Sequence, residues 1–361
     1  MTLTGKGFFI WKIKDCESGS ASAIAAAAKS AGLSHVLIKI ADGVNSYNVD
    51  SSTGVDYVPS VVSALHSVGI QAWGWHYIYG ENPGKEAWCG GQRTKQLGLD
   101  GYVIDAESEY KASGMAAKAS RYMTDLRSYL GNTPVALSSF RFPAYHMQFP
   151  WNNFLTKSDF NLPQVYWEQA HNPGAQLQRS FREFNALTPY RPFMATGAAY
   201  GNQGWVPSVT EITEFMTTAV SLNIPAVNFY SWDYCRKHLP ALWNTIAAFP
   251  YPTEKPVGIV QQFINALNTH NAEAVAALYT ENAVHITALQ TIQGRDAIQS
   301  LYSDLFLKKQ PGIKIALIST SGIEPTQNFG WTTTVSSTIR HGTDTLGLTD
   351  GLISYHYSSI C

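Results

Sequence analysis

The sequence predicts an α/β protein: an eight-stranded (β/α)8 barrel followed by a smaller α+β domain. Three observations carry this prediction. Eight β-rich runs alternate with helical runs over residues 1–250, which implies a parallel sheet covered on both faces. The stretch PYPTEKPVG then breaks the pattern with three prolines and two charges, so 251–256 is read as a linker. From 257 to 361 helices come first and strands later, an α+β order.

Each element has a local reason. GFFIWKI from Gly7 is the first strand, and SASAIAAAAKSAG a helix with serine at its start and glycine at its end. HVLIKIADG from His35 and QAWGWHYIYG from Gln71 are the second and third strands, separated by the helix YVPSVVSALHSVG. A helix through Arg93 to Leu97 leads to the fourth strand, GYVIDAE from Gly101, and MAAKASRYMTDLRSYLG is a long amphipathic helix. PVALSSF from Pro134, LPQVYW from Leu162, RPFMATGAAY from Arg191 and AVNFYSWDY from Ala226 complete the eight, with three further helices among them. Eight is the number that closes a (β/α)8 barrel. An open doubly wound sheet is the rival, and no glycine-rich phosphate turn follows the first strand to support it. Beyond 257, two helices, a polar turn and the helix GRDAIQSLYSDLFLK precede three or four strands.

Composition narrows the function. The 361 residues carry a formal net charge of -1, 14% charged and 12% aromatic residues. This excludes a disordered chain and a protein that holds nucleic acid by charge. No run approaches the ~20 apolar residues of a membrane span. The N-terminus does not read as a secretion signal, so the expected location is the cytoplasm, or outside it after a signal has been trimmed. Cys16, Cys89, Cys235 and Cys361 are scattered without metal-ligand spacing, so buried free thiols are expected, with no metal and no cofactor.

The strongest chemical signal is VIDAES. Strand side chains alternate between faces, so Asp105 and Glu107 point the same way, about 7 Å apart along the strand. At the carboxyl end of a barrel strand, two carboxylates can divide labour in glycoside hydrolysis. Lys39 and Asp42 end the second strand, His76 and Tyr79 the third, Tyr166 and Glu168 the sixth, and Trp232 and Asp233 the eighth. These are the substrate-binding candidates, because rim aromatics stack on the apolar face of a sugar while polar tips hydrogen-bond.

HVLIKIADG, GWHYIYG and GYVIDAESE together resemble the family 25 glycoside hydrolases, the lysozyme-like muramidases. The resemblance covers the barrel, most closely His35 to Glu109. It implies Glu107 as general acid/base and Asp105 as the group that assists a substrate N-acetyl group or stabilises the charged transition state. The family's first strand carries aspartate in a Gly-x-Asp pattern, whereas Gly7-Phe8-Phe9 stands here. Phe9 therefore opens a second expectation, a glycan-binding protein that does not cleave. LNTHNAEAVAALYTENAVHI, GRDAIQSLY and GLTDGLISYHY resemble the nuclear-transport-factor-2-like, SnoaL-like superfamily. That resemblance implies a curved sheet around a conical pocket, a homodimer formed through this domain, and small-molecule chemistry as a third reading. His285, Trp331, His341 and Tyr355 are the candidate pocket residues.

Overall fold

A computed structural model describes residues 3–253, 257–323, 325–335 and 338–360. The chain divides into two compact units, Met1–Lys255 and Pro256–Cys361. Part of the expected linker, 254–256, and Cys361 lie outside the described residues.

The first unit is built on one curled, parallel sheet. Its strands are β1 (Gly5–Ile10), β2 (His35–Asp42), β3 (Asn45–Ser46), β4 (Gln71–Ile78), β5 (Gly101–Ala106), β6 (Val135–Ser138), β7 (Phe160–Asn161), β8 (Gln164–Val165), β9 (Ala195–Ala198) and β10 (Ala226–Tyr230). The order is β7-β6-β5-β4-β2-β1-β10-β9-β8, with β3 turned back antiparallel on β2. The expected sixth strand, LPQVYW from Leu162, is reduced to Gln164–Val165, and a further short strand, Phe160–Asn161, precedes it, with Pro163 between them unable to donate to the ladder. Both ends of the order thus belong to one extended segment, 160–165. Leu162 and Gln164 donate backbone N–H groups to Leu137 and Ser139 on one side, and Asn161 and Pro163 accept from Met194 and Thr196 on the other.

Alternation along these strands sorts the core into two layers. Phe8, Val36, Ile38, Tyr102 and Ile104 face the covering helices, among them Ala21–Ser30, Met115–Leu130 and Val209–Ser221. Phe9, Leu37, Trp73, Trp75, Val103, Ala136, Leu162, Met194 and Ala226 face inward and pack on one another. The inward residues two positions later, at the carboxyl ends of the strands, form the floor of the site described below. A buried lysine ties the first strand to the last helix of the unit. Lys6 Nζ donates to the carbonyls of Ile246, Ala247 and Phe249 at 2.8, 2.8 and 2.9 Å, satisfying the C-terminal end of Pro240–Ala248. Burial lowers its pKa to about 8.

The second unit has helices Ile259–Asn268, Ala272–Ala276 and Arg295–Asp304 and a mixed sheet, and two of its strands fall between the second and third helices, so the expected order of helices before strands holds only in part. Its strands are β11 (Tyr279–Ile286), β12 (Thr291–Gln293), β13 (Ile315–Ile323), β14 (Thr326–Val335), β15 (Thr338–Thr349) and β16 (Leu352–Ile360). The order is β12-β11-β16-β15-β14-β13; β11 and β16 run parallel and the other pairs antiparallel. Val260, Phe263, Ile264 and Leu267 recur at helical spacing and pack on Tyr279, Phe329, Leu346 and Ile353.

Candidate active site

At the carboxyl end of the curled sheet lies a cleft of ≈ 330 Å³ lined by Phe9, Trp11, Lys39, Trp75, Tyr77, Asp105, Glu107, Ser138, Gln164, Tyr166, Tyr200 and Tyr230. Lys39, Asp105, Ser138 and Gln164 each stand two residues after an inward-facing core residue of the same segment (Leu37, Val103, Ala136, Leu162), so the alternation of extended backbone delivers all four to one floor.

The two carboxylates meet there. Gln164 Nε2 donates to Asp105 Oδ1 at 3.0 Å and to Glu107 Oε1 at 2.9 Å. One nitrogen reaching both oxygens holds them within about 6 Å of each other, close enough for each charge to disfavour the other. Burial, then the charge of Glu107, pushes the Asp105 carboxyl well above the usual carboxylate range. Lys39 and the Gln164 hydrogen bond oppose that rise without cancelling it.

Aromatic side chains wall the cleft. Tyr166 lies 5.3 Å from Tyr200 and 6.3 Å from Tyr230, and Phe9 lies 6.0 Å from Trp75 and 6.1 Å from Tyr230 between ring centroids. Burial raises the pKa values of Tyr77, Tyr166, Tyr200 and Tyr230, which therefore stay neutral hydroxyl groups. Lys39 Nζ pairs with Asp42 at 2.6 Å and sits over the rings of Tyr47, Trp75 and Trp11 at 4.4, 4.8 and 5.8 Å.

Among the sequence candidates, Asp105, Glu107, Lys39 and Tyr166 line this cleft. The others do not. Trp75 and Tyr77 flank His76 and point inward, so His76 faces the helices; it is fully buried between Gly43 O (2.7 Å) and Tyr102 Oη (2.6 Å) and cannot touch a ligand in the cleft. Trp232 is corrected for a different reason: β10 ends at Tyr230 and a short helix, Trp232–His238, begins, turning the indole into the core against Phe8 and Trp243. Asp233, in the same turn, accepts from the Trp11 backbone N–H at 3.3 Å and holds a loop rather than the floor. Tyr79 donates to Asp42 at 2.7 Å, and both are spent on supporting Lys39. Glu168 accepts from Tyr200 and Asn202, so it positions a lining tyrosine from behind.

Gln164, Ser138, Trp75, Tyr77, Tyr200 and Tyr230 line the cleft and are not among the sequence candidates. Gln164 was legible in principle, since it shares the inward parity of Leu162.

The position of Asp105 has a measurable consequence. A carboxyl whose folded pKa lies above its unfolded value contributes stability that is complete below the unfolded value and is lost as pH rises through the folded one. Asp105→Asn cannot ionise, and its side-chain oxygen can still accept from Gln164. Thermal melts are expected to show a higher Tm for the variant at pH 7, with the difference closing toward pH 4; a lower Tm at pH 7 would contradict the assignment.

In the second unit, His285 is buried, and Trp331 Nε1 donates inward to Asp344 at 2.8 Å. His341 and Tyr355 are exposed, because β15 and β16 present alternate residues to opposite faces and these two fall on the outer one; they are removed from the pocket set. His356, Asp344, Tyr279 and Tyr302 take their place around His285. Among the described residues no group of three or more His, Cys, Asp or Glu is placed to hold a metal ion, and no helix is long and apolar enough to cross a membrane. Cys16, Cys89 and Cys235 are buried and free.

No curated protein matches the chain. Among solved structures it is similar to an NTF2-like protein of unknown function from Cytophaga hutchinsonii (16% identity, TM-score 0.25, covering 28% of this chain and 87% of that one). It is also similar to a putative ketosteroid isomerase from Kribbella flavida (17%, TM-score 0.26, 28% and 75%) and a putative isomerase of the SnoaL-like family from Agrobacterium tumefaciens (22%, TM-score 0.26, 28% and 94%). A family model described as the SnoaL-like domain matches residues 260–356, so the C-terminal unit carries a SnoaL-like domain.

Proposed function

We propose that the N-terminal unit is a closed (β/α)8 barrel that hydrolyses a β-linked, N-acetylated glycan, with Glu107 as general acid/base and Asp105 as its partner. Closure is supported by segment 160–165, which hydrogen-bonds to a neighbour on either side. The observation that carries the catalytic reading is the joint hold of Gln164 on Asp105 and Glu107 at the floor of an aromatic-walled cleft. Aromatic walls suit a sugar ring, and a carboxyl pair that retains a proton to higher pH suits proton donation near neutrality.

The two carboxylates share one strand end and one amide donor, so they stand side by side rather than on opposite faces of a bound sugar. Among the described residues, no further carboxylate lines the cleft. A nucleophile supplied by the substrate fits this arrangement. Glu107 gives its proton to the glycosidic oxygen as that bond breaks, and the acetamido oxygen of the sugar bonds to the anomeric carbon. Asp105 accepts a hydrogen bond from the acetamido N–H, which favours its ionised form and leaves the proton of the pair on Glu107, so that its charge supports the positive charge forming on the acetamido group. Glu107, now ionised, takes a proton from the water that opens the cyclic intermediate.

The test is product formation from an N-acetylated β-glycan and from the same glycan after de-acetylation, with binding measured in parallel. Release of product from the acetylated form alone is expected. Phe9, buried in the cleft wall against Trp75 and Tyr230, favours a second reading, a glycan-binding cleft without hydrolysis. Binding to both glycans with no product from either would establish that second reading.

A further inference from the structure

Resting on the glycan reading of the cleft, we infer that the first unit holds a second, distal subsite for the same glycan, a separate cavity in which Lys12 and Asp15 hydrogen-bond the hydroxyls of one neutral sugar unit. The cavity measures ≈ 590 Å³ and is formed by the segments that follow β1 and β2. One wall runs from Lys12 to Asp15, and the other from Ser46 to Ser51 together with Tyr57.

Local hydrogen bonds build these walls. Asn48 takes a left-handed backbone, φ 58°, a conformation that asparagine tolerates better than most residues. Its Oδ1 accepts from the Ile13 N–H at 2.9 Å, and its Nδ2 donates to the carbonyls of Trp11 at 3.1 Å and Lys39 at 2.8 Å. One side chain thus ties the two segments to each other and to β2. Lys14 pairs with Asp50 Oδ2, and Asp50 Oδ1 accepts from the Ser52 and Thr53 backbone N–H groups at 3.0 Å each. Walls fixed before a ligand arrives leave little ordering to be done on binding.

The charges of this cavity select its ligand. Two lysines and two aspartates line it, so their formal charges balance. Lys14 and Asp50 are spent on each other. Lys12 Nζ makes no hydrogen bond or ion pair among the described residues and lies 5.1 Å from the Trp11 ring centroid. The Asp15 carboxylate likewise has no donor or cation among the described residues, which leaves one cationic donor and one anionic acceptor lining the same space. Sugar hydroxyls match that pair, because each can accept from an ammonium and donate to a carboxylate, and hydrogen bonds to ionised groups are the stronger kind. A charged unit would gain from one of the two residues and be repelled by the other.

The cavity adjoins the cleft. Trp11 lines the cleft and is 39% exposed, and the next residue, Lys12, lines the cavity. Tyr47 also lines the cavity, and its ring centroid lies 4.4 Å from Nζ of Lys39, a residue of the cleft floor. The Trp11 backbone is held on both sides, its N–H by Asp233 at 3.3 Å and its carbonyl by Asn48. An exposed indole on a fixed backbone therefore stands at the border, a face on which a glycan leaving the cleft stacks.

The test is calorimetric binding to the full chain carrying Glu107→Gln, so that substrate is not consumed. The probes are a dimer and a hexamer of β-linked N-acetylglucosamine. The hexamer is expected to bind at least about tenfold more tightly than the dimer. Adding Lys12→Met and Asp15→Asn is expected to remove most of that gain and to leave dimer affinity unchanged. Both side chains are exposed, so these substitutions leave the fold intact. An unchanged hexamer affinity in the substituted chain, or an equal loss for both probes, would overturn the subsite and leave the glycan reading of the cleft standing. Binding of neither probe before the substitutions would overturn that reading, and the subsite with it.

Discussion

Replacing Glu107 with Gln is expected to lower glycan hydrolysis by about 10²–10⁴-fold, the usual contribution of a positioned general acid or base. The substitution is nearly isosteric, and the new amide oxygen can still accept from Gln164 Nε2, which reaches Glu107 at 2.9 Å in the native protein. The aromatic wall of Tyr166, Tyr200 and Tyr230 is untouched, so glycan affinity and melting temperature are expected to stay near native values. The loss should fall on kcat rather than KM, because the missing proton transfer occurs only in the transition state. Kinetics on the acetylated substrate, with binding of the same substrate to the variant, check both halves. Undiminished turnover would remove Glu107 from the mechanism. A parallel fall in affinity would make it a binding group instead.

Period-2 alternation is the part of this site that one sequence discloses well. Asp105 is placed on the inner face by the parity of β5, Glu107 one residue beyond the strand still reaches the same cleft, and Lys39 falls on the same floor by the parity of β2. His76 shows the limit. Its chemistry and its place at a strand end suggest a binding residue, yet its flanking residues Trp75 and Tyr77 are the inward pair, so parity alone sends His76 outward to Gly43 and Tyr102. Trp232 was misplaced because AVNFYSWDY continues the apolar pattern of a strand across a boundary at which the backbone turns into a helix. Pro163 marked the break in segment 160–165, but only the paired neighbours reveal that both pieces stay in the sheet. Asp344 gives no local signal at all. It sits in the polar run HGTDTLGLT, and its importance arises from register with Ser358 and His356, a relation between distant strands.

Two histidines held neutral in the core are expected to contribute several kcal/mol of destabilisation to the first unit on acidification from pH 6.5 to about 4. His35 is fully buried; Nε2 faces Asn228 Oδ1 at 2.6 Å and Nδ1 faces Ser34 Oγ at 2.9 Å. Its ring occupies the space above Gly7, where a Cβ would come within 2.1 Å of Nε2, so the strand needs glycine at that position. Burial lowers its pKa to about 4 against the partly opposing hydrogen bonds, and burial lowers His76 to about 4 as well. The unfolded chain binds these protons from its ordinary value near 6.5, and the folded chain resists them until about 4. The penalty is therefore absent above pH 6.5, grows through the interval and is complete below pH 4. At 1.36 kcal/mol per pH unit each histidine contributes up to roughly 3 kcal/mol. Glu17, Asp42 and Glu211 have lowered folded pKa values, so their stabilisation is lost mainly below about pH 4.5, whereas Asp105 and Asp233, whose carboxyls are raised, gain stability on acidification and offset part of the histidine penalty. Urea unfolding of the first unit followed from pH 7.5 to 4 in native protein and in His35→Gln should show the variant losing less stability on acidification, by roughly 3 kcal/mol at most, while the substitution costs stability at pH 7.5. An unchanged slope in His35→Gln would mean that the buried imidazole is not the group being titrated.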